Sequence, residues 1–210
     1  MSINERAQLI MEQINVVPLE RHHLKDISGL HFQMLPWSFN GQLGQTHIQN
    51  LYSALLNDAH VFGSVCYVNN QIMGFLTITN NSKVTRLEIQ KVYINKFLKI
   101  FMTLILNPKA LLTILESKFL VPSVFAKFNC QAEWLTFICN TEHNFLSPFV
   151  AAKLMQVMNT DLQNRGIKYY MAQGVRNNPP ALKYYQALNW KIVKKLFMHN
   201  IYYFEVKGSP

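Results

Sequence analysis

From Asn177 to Trp190 the chain reads Asn-Asn-Pro-Pro-Ala-Leu-Lys-Tyr-Tyr-Gln-Ala-Leu-Asn-Trp, residue types that open a helix and set hydroxyls along it. Asn178 offers a side-chain oxygen to the first-turn amides, and Pro179 suits the first helical position, where no N–H is lost. Ala181, Tyr184, Tyr185 and Leu188 recur at helical spacing, and Asn189 tolerates the left-handed geometry that ends a helix. By spacing alone both tyrosines read as core aromatics. A carboxylate, Glu133, stands at the head of the apolar run Trp134–Cys139. At a strand end such a group faces water or pairs with a lysine. Cys139, Glu142 and His143 are metal-ligating types, but no fourth distant ligand accompanies them, so no metal is expected. His22 and His23, adjacent at a loop or helix start, are predicted to face solvent. No Ser-His-Asp spacing, phosphate-binding Walker loop or strand–G-x-G-x-x-G–helix is present.

The elements that position these residues follow from periodicity. Ile14–Pro18 reads as a short strand closed by proline, and Leu24, Ile27, Leu30 and Leu35 mark a helix weakened by Gly29. A second helix begins after Gly44, with Ile48, Leu51, Leu55 and Leu56 on one face. Residues 60–68 and 72–79 form two strands, and Asn69-Asn70 between them suits a tight hairpin because Asn accepts positive φ. Apolar runs at 97–106 and 111–115, broken at Asn107-Pro108, predict two short amphipathic helices over the core within an insertion at about 91–118. They are too short to span a bilayer. Beside Lys91, Lys96, Lys99 and Lys109, residues 97–115 also suit a weak peripheral contact with an anionic membrane. In the strand at 132–140, alternation puts Glu133, Leu135, Phe137 and Cys139 on one face and Trp134, Thr136 and Ile138 on the other, both largely apolar, so the strand is central. A helix over Ser147–Asn164 buries Ala151, Leu154, Met155, Met158 and Leu162. Strands follow at 167–172, 191–195 and 201–206.

Half of the 210 residues are hydrophobic, which suits one domain over the whole chain, with no repeat or linker to divide it. The net charge of +9 rests on scattered lysines and arginines, without the stripe or motif that nucleic acid requires, so no nucleic-acid partner is expected. Three cysteines (Cys66, Cys130, Cys139) in apolar runs fit free thiols in a reducing compartment. Residues 1–13 are polar and unlike a secretory signal, and a cytoplasmic location is expected.

The segment at 178–190 resembles the last helix of the GNAT N-acetyltransferases, N-x-x-A-x-x-x-Y-x-x-x-G-F. Asn178, Ala181 and Tyr185 match, Trp190 replaces Phe, and Asn189 stands where Gly is common. Gly74-Phe75 resembles the family's third strand, and Glu133–Cys139 its fourth. The resemblance implies an α/β (α+β) fold: a central mixed, twisted sheet of about six to seven strands flanked by helices, with the helical insertion between the third and fourth strands. It implies acetyl-CoA as cosubstrate, bound by backbone groups of Phe137, Ile138 and Cys139 and contacted by Asn178. Glu133 would take the proton from the acceptor amine, directly or through water, and Tyr185 would protonate the departing thiolate. His143 lies nearest the implied cleft, where it could assist proton transfer. The family's glycine-rich phosphate loop corresponds to Leu146–Ala151, where Ala151 alone fits. There Ser147 is expected to cap the following helix, Pro148 to open it, and Phe149, beside Val150, to crowd the diphosphate. Two readings stay open. One is an acyl-CoA-dependent N-acyltransferase acting on a primary amine, such as a nucleotide-linked amino sugar. The other is a degenerate GNAT-like binding or regulatory module.

Overall fold

The computed structural model describes residues 10–94, 96–142 and 145–206. Seven strands form one sheet in the order β1-β2-β3-β4-β5-β7-β6. They are β1 (Ile14–Pro18), β2 (Val61–Val68), β3 (Gln71–Thr79), β4 (Glu133–Cys139), β5 (Tyr169–Val175), β6 (Lys191–Lys195) and β7 (His199–Glu205). Every neighbouring pair is antiparallel except β4–β5. Asn69 and Asn70 adopt φ of 51° and 60°, and Val68 pairs with Gln71 across this two-residue turn, the backbone that the Asn-Asn pair predicts.

The helices bury their stripes on opposite faces. On one side α1 (Leu24–Met34), α2 (Phe39–Leu43) and α3 (Gln45–Asn57) lie over the first strands, with Ile27, Ile48, Tyr52 and Leu55 against Val65, Phe75 and Ile138. The other side belongs to a later helix over Ser147–Asn164, whose Val150, Leu154, Met158 and Leu162 pack on Cys66, Leu76, Ile78 and Trp134. Between β3 and β4 the described residues from 82 to 127 are mostly helical, a longer insertion than the expected 91–118. It comprises α4 (Ser82–Ile94), α5 (Phe97–Leu106), α6 (Pro108–Leu115), a π-helical turn (Glu116–Leu120) and α7 (Val121–Lys127). Asn107 accepts a hydrogen bond from Ala110 N–H at 3.3 Å, so the Asn-Pro break caps α6 while ending α5. Val121 and Phe125 of α7 pack on Met171 and Ile201, covering the β5–β7 arm. The Ser147–Asn164 helix is α8, and Pro179–Ala187 is α9.

Gly74 sets the spacing between β3 and α8. A Cβ there would stand 2.9 Å from the Ile138 carbonyl oxygen, 3.0 Å from Val150 Cγ1 and 3.1 Å from Leu154 Cδ1. Backbone on one side and the fully buried Val150 and Leu154 side chains on the other leave no room to relax. Gly74→Ala is expected to cost about 1–3 kcal/mol, as overpacked cores do. Urea unfolding of the variant checks it, and an unchanged midpoint would show that α8 can move away.

Candidate active site

β4 and β5 run parallel but pair only at their beginnings, Glu133 with Met171 and Trp134 with Ala172. Beyond Trp134 they diverge, so the later part of β4 is paired to β3 alone. A bulge accompanies the divergence. Ile78 faces Trp134 and Thr77 faces Thr136, which leaves Leu135 as an extra residue. The bulge overturns the simple alternation expected for this strand. Phe137 and Cys139 share the α8 side with Trp134, whereas Leu135 and Ile138 face α1 and α3. Thr136 faces that same side, where its Oγ1 accepts from the Tyr52 hydroxyl at 3.4 Å.

α9 lies over the mouth of this wedge. Asn178 caps it, accepting from Ala181 N–H at 3.4 Å, and Asn189, at φ 57°, ends it, both as its sequence predicts. The two tyrosines part company here. Tyr185 stacks on Trp190 with centroids 4.7 Å apart and an interplanar angle of 1°, and also meets Tyr202. Burial, then the neighbouring Tyr202, pushes its phenol up to about 12. Tyr184 instead stacks on Phe137 of β4 at 5.4 Å. Its Oη is buried and meets no hydrogen-bond partner among the described residues, and burial raises its pKa as well. Both phenols therefore hold their protons at neutral pH. Tyr185 is where the motif puts a proton donor, while Tyr184 is the hydroxyl left unsatisfied beside β4. Sequence reasoning passed over Tyr184 because adjacent helical residues look equivalent until the partner strand is known.

At the start of α8 the structure departs from one expectation. Leu146, not Ser147, occupies the cap position, without a side-chain cap bond. The Ser147 hydroxyl donates to the Asn140 carbonyl at 2.5 Å, and Asn140 N–H donates to the Met73 carbonyl at 2.8 Å. Ser147 therefore ties the β4–α8 loop to the sheet. Pro148 falls within the first turn, as expected. Phe149 packs partly into the core and meets the exposed ring of Phe145 at 6.0 Å. Val150 and Ala151 are buried beneath it. His143 lies outside the described residues.

On the α1–α3 side, Glu133 is fully buried. One guanidinium nitrogen of Arg86 spans both carboxylate oxygens at 2.8 and 2.9 Å. Burial raises this carboxyl, more strongly than the Arg86 charge and the Ser82 hydroxyl lower it. Arg86 also donates to the Ser117 carbonyl at 2.9 Å and lies 5.7 Å from the centroid of Phe125, so the pair ties α4, the π turn and α7 to the head of β4. A second polar group was not anticipated. His31 Nδ1 lies 2.6 Å from the Tyr52 hydroxyl, which reaches Thr136 one residue past the bulge. His31 Nε2 is buried and meets no partner among the described residues, and burial, helped by His47, pulls this imidazole down to about 4. His23, expected in solvent, is also buried, accepting from Glu20 N–H at 3.0 Å with its ring 5.9 Å from Tyr67.

No protein-family model matches the chain, and no curated protein matches it by sequence. Solved structures do match it in fold. The structure named SsHAT superposes with a TM-score of 0.65 at 14% identity, over 93% of this chain and 100% of its own. For an aminoglycoside 6'-acetyltransferase type Ii the TM-score is 0.60 at 10% identity, over 93% and 99%. The PaiA N-acetyltransferase of Thermoplasma acidophilum, solved in complex with coenzyme A, gives 0.58 at 10% identity, over 91% and 98%. The chain has the GNAT acetyltransferase fold that the Asn178–Trp190 motif and the element order imply.

Because His31 is held below its ordinary value of 6.5, the unfolded chain takes up this proton first as pH falls. Its contribution to stability is full above pH 6.5 and is lost progressively down to pH 4, in total about 3 kcal/mol. Urea unfolding at both ends of that window should show His31→Gln with a shallower pH dependence than the parent chain. Identical slopes would remove His31 as a source of acid sensitivity.

Proposed function

We propose that this chain is an acyl-CoA-dependent N-acyltransferase that moves the acetyl group of acetyl-CoA to a primary amine by direct attack. The observation that carries the reading is the divergence of β4 from β5 beyond Trp134, next to a bulge and beneath the tyrosines of α9. An opened parallel pair leaves strand-edge amide and carbonyl groups for an extended amide-containing ligand, the chemistry of a pantetheine arm. Phe137, Ile138 and Cys139 supply that edge, and an N–H aimed at the thioester oxygen would stabilise the charge that develops there. The α8 end fits less closely. It keeps the helix dipole but offers no glycine, and Phe149 and Phe145 flank Ser147, Val150 and Ala151 where the diphosphate would sit. Asn178, at the head of α9, completes the cofactor contacts.

In the reaction the amine nitrogen attacks the thioester carbon, the C–S bond breaks, and the thiolate takes a proton from Tyr185. The proton leaving the amine goes to Glu133, directly or through a water, and burial raises that carboxyl in the direction a base working near neutrality needs. The acceptor is a small primary amine, with an amino sugar on a nucleotide carrier favoured by the basic surface, since such a carrier brings phosphate charge. Free thiols at Cys66, Cys130 and Cys139, each raised by burial, fit the cytoplasm. The glycine-free start of α8 favours the second reading, a GNAT-fold module that no longer turns over acetyl-CoA.

Thermal unfolding with acetyl-CoA separates the two. Ligand at about 100 times its dissociation constant adds about 2.7 kcal/mol, which raises the melting temperature of a chain this long by roughly 5–10 °C. Thiol release with amines then assigns the residues. Tyr185→Phe and Glu133→Gln are each expected to slow turnover by about 100-fold or more while still binding acetyl-CoA. A Tyr184→Phe loss with Tyr185→Phe intact would move the acid to the hydroxyl beside Phe137. No thermal shift at millimolar acetyl-CoA would leave the module reading.

A further inference from the structure

Amphipathic helices of a soluble domain turn their apolar stripe inward. In the insertion the stripe faces out. On α5, Leu98, Phe101, Met102 and Ile105 recur at the spacing of a single helical face, and all are exposed, Leu98 at 74% and Ile105 at 59%. On α6, Leu111, Leu112 and Leu115 repeat the pattern, and Phe119, 60% exposed, continues it into the π turn. Among the described residues of this pair of helices, the buried one is the small Ala110. Exposed apolar surface on this scale, gathered in one segment, marks an interaction site.

The charge around it identifies the occupant. Between positions 82 and 128 the sequence holds eight basic residues and two acidic ones, which is two thirds of the net charge of the chain. Both acids are already engaged. Glu88 pairs with Lys91 at 2.6 Å, and Glu116 is buried, accepting from Met198 N–H at 2.7 Å and His199 N–H at 3.2 Å. Lys109, on α6, and Lys118, 5.6 Å from the centroid of the Phe119 ring, are exposed beside the apolar faces, and Lys83 and Lys127 are exposed elsewhere in the insertion. A second copy of the chain would bring two such cationic segments together, so self-association through this face works against its own charge. No described helix is long and apolar enough to cross a membrane, and α5 and α6 are ten and eight residues long. Short helices with one apolar face and a lysine border lie in the plane of a lipid surface, with the apolar face among acyl chains and the lysines at anionic headgroups.

We propose that α5, α6 and the π turn form an interfacial anchor that lays this protein on an anionic lipid surface. The anchor is independent of acetyl transfer, and its test needs no acetyl-CoA. The full chain is floated with phosphatidylcholine vesicles, with and without about one third phosphatidylglycerol, at about 50 mM and about 500 mM salt. Binding to the anionic vesicles at low salt is expected, weaker by about 10-fold or more on neutral vesicles or at high salt. Leu98→Glu with Ile105→Glu, both on the outer face, should abolish it at unchanged melting temperature. Lys109→Glu with Lys118→Glu should remove only the anionic preference. Absence of binding to anionic vesicles at low salt overturns the proposal, as does equal binding to both vesicle types. A concentration-dependent dimer that Leu98→Glu with Ile105→Glu dissolves, without vesicle binding by the parent chain, gives the face to a second copy and also overturns it. The parent-chain comparison decides the matter even if the variants fold poorly.

Discussion

Two residue pairs, Glu133 with Met171 and Trp134 with Ala172, carry the ladder between the two arms of the sheet. Parallel pairing this short cannot hold the arms by itself, since each ladder bond contributes only about 1 kcal/mol net. Side-chain layers on both faces must fix the angle between them. On the α8 face that layer is aromatic. Trp134 of β4, Tyr170 of β5, Tyr202 of β7 and Trp190 beyond α9 all lie within ring-contact distance of one another or of a shared neighbour. Large rigid rings suit this role, because they bury much area at little conformational cost. On the opposite face the layer is the insertion, with Val121 and Phe125 under β5 and β7 and Arg86 bonded to Glu133 at the hinge. The opening between β4 and β5 is thus a consequence of packing on both sides.

That account changes what Glu133 means. As an isolated strand-end carboxylate it would be an ordinary acid. Buried and spanned by one nitrogen of Arg86, it is both a structural tie and a group whose proton affinity has been raised. Removing the arginine would leave a buried charge without its partner, which costs about 3–5 kcal/mol. A base and a strut can be the same residue only if the strut survives neutralisation, so Glu133→Gln is informative where Arg86→Ala would confound the two roles.

Local chemistry was legible in the sequence and non-local pairing was not. The Asn69-Asn70 turn, the Asn178 cap, the Asn189 terminus and the bounds of α8 follow from residue type and spacing within one element. The bulge at Leu135 does not, because it is defined against Thr77 and Ile78 of another strand, and a bulge invalidates period-two reasoning beyond it. In α4 the one buried residue is the polar Thr85, so the apolar Val84, Leu87, Ile89 and Val92 do not mark a buried face. The Arg86–Glu133 pair and the His31–Tyr52–Thr136 chain join residues 47, 21 and 84 positions apart, and nothing local marks them. Ser147 was read as a cap because it stands at the right place. The helix begins at Ser147 itself, which puts Leu146 at the cap, and the Ser147 hydroxyl donates to the Asn140 carbonyl.

The insertion shows how the fold's periphery is wired to its centre. Arg86 bonds to Glu133 and to the Ser117 carbonyl at once, and Ser117 belongs to the π turn that continues α6. Glu116, the preceding residue, reaches the first residues of β7 through Met198 and His199. Two adjacent residues of the π turn are therefore bonded toward both arms of the sheet. The π turn (Glu116–Leu120) is the segment that makes both sets of bonds. The seat of the insertion on the sheet and the position of Glu133 are thus fixed by the same few hydrogen bonds.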